Sequence, residues 1–299
     1  MTHPHDAGDE TARLASAPPL PPGWLGRSPW ITFVAPFAVF MLVGSLEPTP
    51  PKQAPHAAAT TVPGGAASPT ELGADDASDS PASKSLSEDD GWLPQVAYQH
   101  YPIVYTLKIA LTVLTMALVW PGYRTFPWRV TALAIIVGVV GGALWIAIAK
   151  MHLGAKILQP LGLDGVIESG ERSAFNPLQE LAANPAWAYG FLAIRLIGLI
   201  IVVPIIEEFF LRGFLMRFVI HDQWHQAPFG AVTRLSLVVG TVAPMLMHTG
   251  ELAAAAVWFS LISWLMVRTR NIWDCVAAHA VTNAMLGAYV LWSGEWWMM

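Results

Sequence analysis

The chain has 299 residues, of which 54% are hydrophobic and only 12% charged, and its mean hydropathy is +0.47. Soluble domains carry about a quarter charged residues, so the composition excludes a soluble globular protein and predicts an all-α, polytopic transmembrane helix bundle. The net charge of −5 comes without a basic patch, which argues against a nucleic-acid partner, and the single Cys275 excludes an internal disulfide framework.

Residues 1–29 read as a polar Pro/Ala-rich tail, too long and too polar for a cleaved signal peptide. The first transmembrane helix is expected at 30–46, "WITFVAPFAVFMLVGSL", just long enough against the roughly 17–25 residues a span requires. Residues 47–97 are rich in Pro, Ala, Ser and Asp; seven acids lie between Glu71 and Asp90, and the composition reads as a disordered acidic loop. The stretch 98–185 should hold two spans, near 101–120 and 131–149, and a loop. Further spans are expected near 233–249, 252–268 and 271–293. Residues 186–220 are too long for one perpendicular helix and short for two. Pro204 should kink or break that stretch, so it reads as an interfacial segment near 186–197 followed by a span from 198 to 220. Seven spans result, or eight if 186–220 is split. Seven put Arg13, Arg27, Arg124, Arg129, Arg217, Arg234, Arg268 and Arg270 on the cytoplasmic side, and Lys52, Lys84, Lys150, Lys156 and Arg172 outside. This is a modest positive-inside bias for a multi-pass protein of the cell (inner) membrane.

Within this apolar chain "IIEEFFLRGF", residues 205–214, carries two glutamates and an arginine. Ionisable groups inside a membrane are costly and usually mark functional sites. Glu208 and Arg212 stand in the favoured i, i+4 order for a helical ion pair. For Glu207 the same positions hold Phe210 and Leu211, so its partners must come from another helix. The plainer reading is an ion-pair network that only ties helices together. Other polar groups recur at similar depth. His248 ends "LVVGTVAPMLMH", and His279 and Asn283 lie four apart on one face of the last span. At ~1.5 Å per residue, Glu207 lies roughly 20 Å from its cytoplasmic helix end, His248 about 22 Å, His279 about 12 Å and Asn283 about 18 Å. One slab of the membrane thus holds four polar groups.

The remaining polar residues invite structural readings. Asp274 suits the positive end of the last helix, and Glu251 begins the helix before it. Lys108 and Arg195 are expected to snorkel to an interface. Trp30, Trp120, Trp128, Trp292, Trp296 and Trp297 read as an interfacial belt, and Gly141-Gly142 as a close helix contact.

Taken in order, Glu207-Glu208-Phe-Phe-Leu-Arg212, His248 and His279-Ala-Val-Thr-Asn283 resemble the motifs of the CPBP family of intramembrane proteases, which includes CAAX prenyl endopeptidases and bacteriocin-processing proteins. The resemblance covers roughly 186–293, which would be the catalytic core. "FMLVGSLEP" and "YPIVYTLKIAL" are similar to a CAAX prenyl protease-related branch found with exosortase systems. Pro244 departs from the family, which usually has Phe there. The resemblance implies Glu207 as general base, His248 as holder of the attacking water, His279 and Asn283 as oxyanion donors, and Glu208 with Arg212 as the supporting pair. It implies an endopeptidase that hydrolyses a membrane-anchored or lipidated protein substrate within the lipid bilayer. No cofactor is favoured. Zinc held by Glu207, His248 and His279 is the alternative, although the HExxH helix is absent. Competing functions are a proton-coupled transporter and a non-catalytic immunity or scaffold protein.

Overall fold

The computed structural model describes residues 17–48, 96–153, 156, 160 and 174–299. Most of the polar tail and of the acidic loop therefore lie outside the described residues. Every regular element among the described residues is helical. The main ones are α1 (Trp30–Gly44), α2 (Tyr101–Tyr123), α3 (Ala132–Lys150), α4 (Pro185–Ile220), α5 (Arg234–Met245), α6 (Leu252–Thr269) and α7 (Ile272–Ser293).

Among the described residues five helices are long and apolar enough to cross a membrane: α2, extended at its start by Tyr98–His100, then α3, α4, α6 together with Thr249–Glu251, and α7. Two expected spans are shorter than the sequence suggests. The α1 helix has 15 residues and α5 has 12. At 1.5 Å per residue they reach only about 22 and 18 Å, against a hydrocarbon core of about 30 Å.

The segment 186–220 is not broken at Pro204. It forms one continuous helical run, Pro185–Ile220, started by Asn184, whose side chain accepts from Trp187 N at 3.2 Å. Pro204 is absorbed because the backbone widens to π-helix over Gly198–Val202 just before it. A second π segment, Phe209–Leu215, follows. Such insertions re-aim side chains by one residue and are frequent at functional sites. Glu207 and Glu208 sit in the α-helical turn between the two.

The bundle closes through small residues. Gly138, Gly141 and Gly142 form one stripe of α3, and α3 makes extensive contact with α7. A methyl group at Gly138 would lie 2.6 Å from the Ala278 carbonyl oxygen, so this backbone approach demands glycine. Gly213 of α4 similarly admits the Phe33 ring of α1, at 2.6 Å from where a Cβ would stand. The start of α7 is tied to the start of α3 by Asn271 Nδ2 donating to Arg129 O (2.6 Å) and by Thr131 N donating to Asp274 Oδ1 (2.7 Å). Asp274 is therefore a structural anchor.

Two cations do not snorkel as expected. Lys108 is buried in an ion pair with Glu47 at 2.5 Å, beside the Phe40 and Tyr105 rings. Arg195 is 2% exposed and donates to the main-chain oxygens of Phe175 (2.6 Å) and Met299 (2.5 Å). For both, a partner within reach replaces water. Trp30, Trp120, Trp128 and Trp292 are exposed as a belt requires, whereas Trp296 is buried.

Candidate active site

Glu207, His248, His279 and Asn283 line one cavity of about 180 Å³. Its walls are completed by Trp145 of α3, Leu199 and Val203 of α4, Met247, Trp258 and Phe259, and Thr282 and Leu286 of α7. The common depth inferred for the four polar groups thus corresponds to a shared chamber. Glu207 and His279 are each 5% exposed and Asn283 8%.

Glu208 and Arg212 form an ion pair at 2.9 Å, both completely buried. Sequence spacing indicates that pair but not its third member. His279 Nδ1 lies 3.0 Å from Glu208 Oε1. A carboxylate accepts only, so Nδ1 carries the hydrogen. Arg212, Glu208 and His279 are therefore one chain running from α4 to α7, and it presents the opposite ring nitrogen, Nε2, away from Glu208. The Trp258 ring packs against the imidazole at 4.5 Å.

His248 is not on a helix. Helix α5 ends at Met245, and His248 lies in the following turn, which leads into Thr249–Glu251. Pro244, the departure from the family pattern, has a role there. Its carbonyl stands 2.9 Å from His248 Nδ1, and a carbonyl can only accept, so this nitrogen too is the protonated one. In the neutral ring Nε2 is then an acceptor. Trp145 and Phe259 each stand 5.5 Å from the imidazole, ring centre to ring centre.

Asn283 donates from Nδ2 to Leu199 O at 2.8 Å. The backbone explains why that oxygen is available. Within the π segment a carbonyl is reached by the N–H five residues on, and for Leu199 that residue is Pro204, which has none. Asn283 thus satisfies an oxygen orphaned by the proline, and it is fixed at the cavity edge with one amide hydrogen still uncommitted.

Sequence reading missed Trp145, Trp258 and Thr282. Trp258 Nε1 donates to Thr282 Oγ1 (3.1 Å), which donates to Gly138 O (2.9 Å), joining α6, α7 and α3 behind the cavity. A signal existed for Trp145. It continues the stripe of Gly138, Gly141 and Gly142 at i+7, so it had to face the same neighbours. Among the described residues no group of three or more His, Cys, Asp or Glu side chains is gathered as a metal-ligand set. Glu207, His248 and His279 share the cavity without being gathered into such a set.

The arrangement offers a carboxylate, two imidazoles of defined tautomer and an amide donor in a chamber whose remaining walls, Thr282 apart, are apolar or aromatic. Water within such a chamber can be deprotonated, and a developing oxyanion can be stabilised where bulk solvent is excluded. No curated protein and no solved structure matches the chain. Residues 189–285 match the family described as type II CAAX prenyl endopeptidase Rce1-like; that stretch contains Glu207, Glu208, Arg212, His248, His279 and Asn283, and the match supports the CAAX protease family of intramembrane endopeptidases.

Proposed function

We propose that this chain is an intramembrane endopeptidase that hydrolyses a peptide bond in a membrane-anchored or lipidated protein, with Glu207 as the base that activates water. The observation that carries the reading is the meeting of Glu207, His248, His279 and Asn283 on one buried cavity within the matched stretch. In the proposed sequence Glu207 takes a proton from water held beside His248, and the resulting hydroxide attacks the substrate carbonyl. The tetrahedral oxyanion receives hydrogen bonds from Asn283 and from His279, whose Nε2 donates when the ring is protonated. Glu207 then returns the proton to the leaving amine. Glu208, held by Arg212, fixes the orientation of His279. No metal takes part in this scheme.

The proposal extends to seven crossings, with α1 and α5 as the short ones, and to residence in the inner cell membrane. Cysteines introduced near residues 20 and 295 should then be labelled from opposite faces; labelling from one face gives an even count. It further places the chain in the branch found with exosortase systems, on "FMLVGSLEP" and "YPIVYTLKIAL". Co-purification with exosortase components tests this, and their absence from the native membrane removes it. The central experiment is mass spectrometry of membrane-protein C-termini with and without the chain. A protein shortened only when the chain is present, and not when Glu207→Gln replaces it, is the expected result. Identical C-termini in both membranes would defeat the reading.

A further inference from the structure

Hydrogen-bond donors and acceptors are unequally engaged along the cavity wall. Glu207 contributes acceptors, and His248 and His279, protonated on Nδ1, contribute acceptor nitrogens while neutral. The Thr282 hydroxyl already donates to Gly138 O and the Trp258 indole to Thr282, so both are engaged. Asn283 has one of its two amide hydrogens on Leu199 O. Against this stands Trp145. It lines the cavity, is 6% exposed, and its Nε1–H has no hydrogen-bond partner among the described residues. The other buried nitrogens in that condition belong to Arg212, which is ion-paired and off the cavity wall. A buried donor left unpaired costs about 1–3 kcal/mol and calls for an explanation. Trp258, on the same wall, donates instead to Thr282 Oγ1, so the two indoles of the wall differ.

We infer that Trp145 is a substrate-binding catalytic residue, its indole N–H being the second permanent donor to the substrate carbonyl oxygen beside Asn283. The inference rests on the proteolytic reading above and adds a residue outside the matched stretch 189–285. The ring borders the groups that the proposed scheme uses. It stands edge-on to His248 at 5.5 Å and to Trp258 at 6.3 Å, so it is braced on two sides next to the position assigned to the attacking water. An indole cannot lose its proton in the working pH range. Trp145 therefore donates in every protonation state of the two histidines, which His279 Nε2 does not.

The test deletes only the N–H. Trp145 is replaced by 3-benzothienylalanine, which keeps the ring shape, and separately by Phe. Both are compared with wild type and Glu207→Gln on a lipid-anchored peptide carrying the cleavage site found by the C-terminal mass spectrometry. The expected result is a kcat about 10²-fold lower for the benzothienyl variant, as for loss of one oxyanion donor, with KM within a few-fold and Tm unchanged. Trp145→Phe should match it in kcat. Wild-type kcat in the benzothienyl variant, with Glu207→Gln inactive, overturns the role of Trp145 and leaves the protease reading standing. A fall in Tm alongside kcat also overturns it, since the N–H then serves the fold. No cleavage by wild type removes the protease reading and this inference with it.

Discussion

Gln in place of Glu207 keeps the shape and hydrogen-bonding reach of the side chain but cannot accept the proton. Glu207→Gln should therefore abolish cleavage while the protein still folds, with an unchanged melting profile in detergent; more than a few per cent of wild-type cleavage would take the base role away from Glu207. Glu208 and Arg212 should behave differently. Each is wholly buried and holds the other, so Arg212→Ala or Glu208→Gln strands a charge at a cost of roughly 3–5 kcal/mol. Both activity and Tm should fall, and an Arg212→Ala protein that melts like wild type contradicts the ion pair. The third contrast separates oxyanion stabilisation from metal binding. Asn283→Ala should lower turnover by about 10²–10³ with little change in substrate binding, and purified protein should keep its activity in strong chelators. Stoichiometric zinc, lost with activity in His279→Ala or on chelation and restored by adding the ion, defeats the metal-free scheme. At this scale the residue types and spacings were legible, because a charge inside an apolar run stands out. The contact between Glu208 and His279 was not. It joins residues 71 apart on two helices, and helical periodicity on one element says nothing about which face of another it meets.

At the scale of elements, the expectation of a helix break at Pro204 went astray through a sound rule applied alone. Proline removes one N–H and clashes with the preceding turn, which ordinarily ends a helix. Here the widened turn Gly198–Val202 takes up the clash, and a side chain from α7 takes the freed carbonyl. The compensation comes from another helix, so no local pattern could announce it. Pro204→Ala returns an N–H that competes with Asn283 for Leu199 O. The variant should melt no lower than wild type yet lose at least about tenfold in kcat, because released Asn283 no longer holds its position. Wild-type turnover in Pro204→Ala would show that the carbonyl contact is incidental. That α3 makes a close helix contact, by contrast, was legible from Gly141-Gly142, since adjacent glycines in an apolar helix have few other uses, although its partner α7 was not.

Across the whole molecule, composition was enough to place the chain among multi-pass helical proteins, and hydropathy located most helices to within a few residues. It misjudged the short ones, α1 and α5, because apolar residues continue past the point where the backbone turns. It also misjudged Lys108 and Arg195, because a hydropathy window cannot distinguish an interior partner from water. The three arginines of α4 share one arrangement. Arg195 donates to Phe175 O and Met299 O, Arg212 is paired with Glu208, and Arg217 donates to Gly213 O, His225 O and Ala227 O. None is more than 2% exposed. The guanidinium that would enter a trypsin specificity pocket is in each case already held by the protein's own oxygens. Arg124, Arg129, Arg234, Arg268 and Arg270 lie exposed at helix ends. Limited trypsin digestion in detergent should therefore cut at these connections and leave α4 whole, Arg195, Arg212 and Arg217 included. Early cleavage after any of those three would mean that the helix carrying Glu207 opens far more readily than its packing implies.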